Sequence, residues 1–267
     1  MRAALNTVTM KRGMDPLQAI KVTAAAGFSG IGLWWDALKE HRDQHGSLAD
    51  VKQALNDGGL RAEEICFTGG WMWAEGEARK QTFDDARLRA EMAAEVGAPC
   101  VIACASGGKG DPEKAAADFR ALCDVGQEFG VAMALEYIGA FEQYHDVKSG
   151  LGLVRAAEHP YGKLLIDIFH SFRGGTVAAD FKLPKGDEVG LVHINDVPAG
   201  DIMQMNDSHR VLPGEGVLPL KEVLANLAAG GYEGALSVEI FNEAIWALPV
   251  EEVAKKAREA MGRVLSA

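Results

Sequence analysis

Eight apolar, strand-like runs alternate with helix-like stretches along the 267 residues, and nothing else in the chain narrows its fold as far. The predicted strands cover Ala3–Val8, Gly30–Trp35, Ala62–Thr68, Cys100–Ala105, Val131–Tyr137, Lys163–Phe169, Gly190–Asn195 and Ala235–Phe241. Short apolar runs without strict polar alternation are the pattern of strands buried on both faces, as in a parallel sheet. The stretches between them carry helix signals. Asp15-Pro16 supplies a cap and a first-turn proline, Leu17, Ile20 and Ala24 follow at helical spacing, and Gly27 closes the segment. Leu220, Val223, Leu224 and Leu227 repeat the pattern before Gly230-Gly231, and Pro249 opens a last helix with Val253, Ala257, Met261 and Val264 on one face. The sixth helix, near Asp180, has the weakest signal. Eight such units in this length predict a single-domain (β/α)8 TIM barrel over residues 1–267, because parallel strands need helical crossovers between them. The first βα turn has no GxGxxG and no GxxxxGK[ST] occurs, so the chain carries no nucleotide-binding fingerprint.

Four of these strands end in a residue that can bind a metal: Glu136, Asp167, His193 and Glu239. A carboxylate or imidazole in an apolar run is normally expensive to bury. Each alone would serve as a helix cap or an ion-pair partner, but in a barrel the carboxyl ends of all strands meet at one mouth, so together they can share one divalent cation. Three carboxylates and one imidazole form an oxygen-rich set suited to Mn²⁺, the favoured ion, and to Mg²⁺ or Co²⁺, with Zn²⁺ admissible. Such a cation polarises a bound hydroxy-ketone, and Glu136 and Glu239 could then act as base and acid through an enediolate. His170, three residues after Asp167, reads as a substrate contact or an orienting group. Arg210, within Asp207-Ser-His209-Arg210-Val-Leu-Pro213-Gly-Glu-Gly216, offers a permanent cation for a developing enediolate oxygen. Trp34, Trp35, Phe67, Trp71 and Trp73 follow the second and third strands; such rings more often pack in a core, but Trp34 and Trp71 are the candidates for a stacking wall against a sugar or cyclitol ring. Arg173-Gly-Gly175 reads equally as a turn or an anion contact.

Composition removes other classes. The net charge of −11 counts against a phosphate-backbone-binding face, so no nucleic acid partner is expected. No apolar run approaches the roughly 20 residues that cross a bilayer, and the amino terminus lacks a signal-peptide stretch, so no membrane partner and a cytoplasmic location are expected. The four cysteines, Cys66, Cys100, Cys104 and Cys123, form no CxxC pair and read as reduced, mostly buried thiols. A homo-oligomer is compatible with the composition.

The series Ala134-Leu-Glu136-Tyr-Ile-Gly139, Asp167-Ile-Phe-His170, His193-Ile-Asn-Asp196, His209 to Gly216 and Ser237-Val-Glu239-Ile-Phe241 resembles the sugar isomerase/epimerase branch of the xylose isomerase-like barrels. Within that superfamily it is most similar to the inosose (2-keto-myo-inositol) isomerases. The resemblance implies metal ligation by Glu136, Asp167, His193 and Glu239, proton transfer by the two glutamates, and substrate contacts from His170 and Arg210. Ketose 3-epimerases, hydroxypyruvate isomerases and 3-dehydroshikimate-type dehydratases would use the same ligands and stand as alternatives, as does a sugar-binding barrel without catalysis. The superfamily also holds AP endonucleases, whose ligand pairs the Asp207-Ser-His209 spacing resembles. Those enzymes take histidines from the third and fourth strand regions, where this chain has Glu64-Ile-Cys66 and Cys100-Val-Ile-Ala-Cys104 instead.

Overall fold

Because each strand is apolar on both faces, one face must meet a layer of helices and the other must meet the remaining strands; closing the sheet on itself satisfies both. The computed structural model describes residues 1–266. Its strands are β1 (Arg2–Asn6), β2 (Gly30–Trp34), β3 (Arg61–Thr68), β4 (Cys100–Cys104), β5 (Ala132–Glu136), β6 (Gly162–Asp167), β7 (Val189–Ile194) and β8 (Ala235–Val238). All neighbours are parallel and follow chain order, and β1 pairs with β8 to close the barrel.

The period of two along each strand divides the core. Met133, Leu135, Leu164, Ile166, Val192, Ile194, Leu236 and Val238 join the large outer layer that packs against the helices. Their alternates Ala134, Leu165, Leu191 and Ala235, with Ala4, Cys66, Cys100 and Ile102, fill the barrel interior. The same parity carries Glu136, Asp167 and His193 inward at the top of β5, β6 and β7, where Asp167 is in register with His193 and His193 with Ser237.

Several strands stop earlier than their apolar runs predict, each for a local reason. At β1 the side chain of Asn6 accepts the Val8 amide and starts the helical turn Thr7–Met10. At β6 the Asp167 carboxylate accepts the His170 amide at 2.8 Å and caps the helix Ile168–Arg173, so Ile168 and Phe169 are helical rather than extended. After β8 the Ile240 amide donates to Thr9 Oγ1 at 3.0 Å and leaves the sheet. The helices Pro16–Ala25, Leu220–Ala229 and Val250–Ser266 lie where their patterns place them, the first capped by Asp15. The region near Asp180, expected as the sixth helix, is only a 3-10 turn, Ala178–Lys182, because the crossover from β6 to β7 begins with the short capped helix and continues through Gly174-Gly175. Among the described residues no helix is long and apolar enough to cross a membrane.

Candidate metal centre

The four strand-end ligands converge. Glu136, Asp167, His193 and Glu239 each direct one donor atom into a common space, all four within 4.8 Å of one another and all buried. His193 Nδ1 lies 3.1 Å from Glu239 Oε2, 3.6 Å from Glu136 Oε1 and 3.9 Å from Asp167 Oδ2. These are charge contacts without hydrogen-bond geometry, since Nδ1 has no hydrogen-bond partner. A fully buried ring nitrogen that faces three carboxylates and bonds to none of them is the arrangement a cation completes. The donor set, one nitrogen and three oxygens, fits a divalent metal. The His193 imidazolium is favoured well above its usual range: burial works against the charge, and Glu239 and Glu64 outweigh it. A proton on His193 thus supplies part of the positive charge that this carboxylate-rich centre demands.

Glu64, quoted in the sequence only for what it is not, proves central. It is fully buried on β3 and accepts from His193 Nε2 at 2.6 Å, Ser237 Oγ at 2.8 Å and Asn6 Nδ2 at 3.2 Å. Burial alone would raise the carboxyl; the neighbouring His193, by charge and hydrogen bond, and Ser237 hold it below its ordinary value. An acceptor at Nε2 keeps the proton on that nitrogen and leaves Nδ1 free as a ligand. Room for Glu64 comes from β2, where a Cβ at Gly32 would stand 2.1 Å from Glu64 Oε1.

Arg210 is brought to the centre by the segment after β7. Its Nη1 donates to Asp167 Oδ2 at 2.8 Å and to Glu239 Oε2 at 3.0 Å, and its Nη2 donates to Asp207 Oδ1 at 2.6 Å and contacts His170 Nε2 at 3.1 Å. The guanidinium therefore clamps two carboxylates of the cluster. The segment is anchored by Asp196, whose Oδ1 accepts the Val197 and Leu218 amides at 2.9 Å and whose Oδ2 accepts those of Gly214 and Gly216 at 3.1 Å. Pro213-Gly-Glu-Gly216 is thus a turn wrapped on a buried carboxylate; a Cβ at Gly216 would meet Asp196 Oδ1 at 2.3 Å. His209 is exposed and bonded to Asn206, outside the ligand cluster, so the pair expected of an endonuclease does not form.

Above the ligands lies a cavity of about 310 Å³, walled by Trp34, Phe67, Ile102, Cys104, Ile138 and Phe241 and reached by His170, Asp207, Arg210 and Arg12. Trp34 takes the predicted wall position: its Nε1 donates to Asn6 Oδ1 at 2.8 Å, and its ring meets Phe67 and Phe241 edge-on at 5.9 and 6.2 Å. Trp71 does not. The chain turns away at Gly69-Gly70, with Gly70 at φ +71, and the indole is fully buried 5.6 Å from the Phe119 ring in the outer core. Trp35 and Trp73 also lie outside the wall, Trp35 under the guanidinium of Arg89 and Trp73 hydrogen-bonded to the Asp111 carbonyl. Arg173 lines a separate recess with His145. Cys104 Sγ lies 3.0 Å from Glu136 Oε2, and burial, reinforced by Glu136, pushes its thiol well up, so it donates rather than ionises. A larger apolar groove, about 610 Å³ between Leu218–Ala225 and Arg263-Val264, is away from these groups.

Known proteins share this arrangement of strands and helices. The 3-dehydroshikimate dehydratase of Pseudomonas putida is 27% identical over 259 residues, 94% of this chain and 40% of that protein. Its Pseudomonas aeruginosa counterpart is 30% identical over 93% of this chain and 39% of its own length. The inosose isomerase of Bacillus velezensis is 30% identical over 152 residues, 54% of this chain and 52% of that one. The chain thus spans about two fifths of the dehydratases and half of the inosose isomerase. Among solved structures, the IOLI protein with a binding zinc atom superposes with a TM-score of 0.92 at 21% identity, covering 100% of this chain and 98% of that one. A xylose isomerase-like TIM barrel/4-hydroxyphenylpyruvate dioxygenase fusion protein gives 0.88 at 24% identity over 99% of this chain and 42% of the fusion. At these identities the two structures speak for the fold. The model of the xylose isomerase-like TIM barrel family matches residues 20–264, and the chain belongs to that family.

Proposed function

We propose that this protein is a divalent-metal-dependent enzyme that moves a proton at the carbon beside the carbonyl of a small polyhydroxylated keto compound. One observation carries the reading: Glu136 and Glu239, from β5 and just after β8, both approach Nδ1 of His193 and line the same cavity. When bound by Glu136, Asp167, His193 and Glu239, a cation of the Mn²⁺ type would polarise the substrate carbonyl and acidify the adjacent C–H. One glutamate then takes that proton and the other returns one, giving an isomer or an epimer through an enediolate. Arg210 holds Asp167 and Glu239 in place, and Trp34 and Phe67 offer an apolar wall for the C–H face of the substrate. A keto-polyol of the inosose kind suits this chemistry.

A second reading has its own support. The dehydratase relatives align along more than nine tenths of the chain, against about half for the inosose isomerases. Removal of the same proton from a substrate with a β-hydroxyl group leads to loss of water instead of reprotonation. Proton NMR of the Mn²⁺-loaded protein in D₂O, with 2-keto-myo-inositol, D-psicose and 3-dehydroshikimate, tests both readings. Deuterium beside the carbonyl of a recovered ketone supports isomerisation, an aromatic product supports dehydration, and either should vanish in Glu239→Gln. If no substrate exchanges or dehydrates while metal is bound, proton transfer is refuted.

A further inference from the structure

We propose that Arg12 is the anion-binding residue of this cavity and that the substrate carries a carboxylate or phosphate group which it holds. The assignment rests on the metal-assisted reading above and narrows its substrate class.

Two arginines reach the cavity, and their surroundings are opposite. Arg210 is fully buried and its terminal nitrogens are taken by Asp167, Glu239 and Asp207. Arg12, on the loop after the Thr7–Met10 turn, has no carboxylate within 4.0 Å among the described residues and makes no side-chain hydrogen bond there. Arg12 is an exposed residue whose head group rests on aromatic rings. Its guanidinium lies 5.3 Å from the centres of both the Phe241 and the Trp246 ring. That platform is fixed: Trp246 Nε1 donates to the Val8 carbonyl at 2.7 Å, and Phe241 meets Trp246 and Trp34 edge-on at 6.4 and 6.2 Å. Stacking on two rings restrains the guanidinium and leaves its in-plane N–H groups unpaired.

The metal and the two glutamates deal with the ketone and its neighbouring C–H, so that chemistry leaves Arg12 free for a charged substituent elsewhere on the substrate. The cavity already holds the carboxylates of Glu136, Glu239 and Asp207, so a substrate with a negative charge needs a cation that those carboxylates do not neutralise. Arg12 is that cation, and its planar fork matches the two oxygens of a carboxylate or phosphate.

Calorimetric titration of the Mn²⁺-loaded full chain tests the proposal with four probes: 3-dehydroshikimate, D-fructose 6-phosphate, 2-keto-myo-inositol and D-psicose. At least one anionic probe is expected to bind about tenfold more tightly than both neutral ones. Arg12→Met should abolish that preference by weakening the anionic probe far more than the neutral ones, and Arg12→Lys should restore part of it. The comparison of the carboxylate probe with the phosphate probe tells which anion the site takes. Equal affinity for anionic and neutral probes, equal weakening of both by Arg12→Met, or no binding of either anionic probe overturns the assignment. Arg12-dependent binding with no deuterium exchange or dehydration of any probe would keep Arg12 and refute the proton-transfer reading. Exchange or dehydration of an anionic probe at the same rate in wild type and Arg12→Met would do the reverse.

Discussion

Replacing Glu64 by Gln exchanges one carboxylate oxygen for an NH₂ and should weaken metal binding without altering any of the four cluster donors. The carboxylate is fully buried and only accepts: from His193 Nε2 at 2.6 Å on one oxygen, and from Ser237 Oγ at 2.8 Å and Asn6 Nδ2 at 3.2 Å on the other. A glutamine must put its NH₂ at one of these ends. Facing His193, it donates to Nε2 and drives the ring proton to Nδ1, toward the cation. Facing Ser237 and Asn6, it sets a donor against the Asn6 amide and leaves His193 with a neutral acceptor. Either outcome disfavours Nδ1 as a ligand, and loss of such an outer partner costs about 10–100-fold in metal affinity, or about 1.4–2.7 kcal/mol. Competition with a chelator at neutral pH measures it for Mn²⁺ and Zn²⁺. Glu64→Gln binding either metal within about twofold of wild type, well inside that range, would refute the role given to Glu64.

The same pair makes a pH prediction for the metal-free protein. His193 is raised in the folded state, so its contribution to stability is complete below its ordinary value of 6.5 and is lost as pH rises through the folded value. Glu64 is lowered, so its contribution is present above its ordinary 4.5 and is lost as pH falls through the folded value. Metal-free stability should therefore peak between these limits in urea titrations. Metal binding must displace the His193 proton, so affinity should rise about tenfold per pH unit until the folded His193 value is reached. In Glu64→Gln that rise should end at lower pH, because one of the charges holding the proton is gone.

Asp196→Ala leaves four amides of the 197–218 loop without their acceptor and should cost about 3 kcal/mol in urea unfolding, since each unsatisfied buried group costs about 1–3 kcal/mol and water can reach part of this turn. It should also loosen Arg210, seen as early proteolytic cleavage near residues 207–216. The two tryptophans should separate cleanly. Trp71→Ala should cost about 3–5 kcal/mol of stability with metal affinity unchanged, as expected for a large aromatic removed from a core, whereas Trp34→Ala should chiefly weaken substrate binding, read as KM against Tm.

What the sequence made legible follows from where polarity conflicts with its surroundings. Glu136, Asp167, His193 and Glu239 stand out because each ends an apolar run in which nothing else is charged, and a closed parallel barrel offers such residues one meeting point. Glu64 violates the same rule more severely, yet it sits inside β3 beside Glu63, and the doublet reads as a polar strand end. The signal that both glutamates are packed inside lies on the neighbouring strand. Gly30-Ile-Gly32 has no inward side chains in β2, and a Cβ at either glycine would collide with one of the glutamates, Glu63 at Gly30 and Glu64 at Gly32. Trp34 and Trp71 show the complementary difficulty: both are aromatic and near strand ends, but Trp34 ends β2 and lines the cavity, whereas the turn at Gly69-Gly70 sends Trp71 into the outer core. Asp196, likewise, reads as one more polar residue after His193 until the turn at 213–216 folds back over it. Strand parity can be read from one segment, whereas the groups that orient the ligands are defined by pairs of segments. Substitutions around the cluster therefore carry information that substitutions within it do not: Glu64 bears on the proton of His193 and Asp196 on the reach of Arg210, and each acts through a neighbour that faces the four donors.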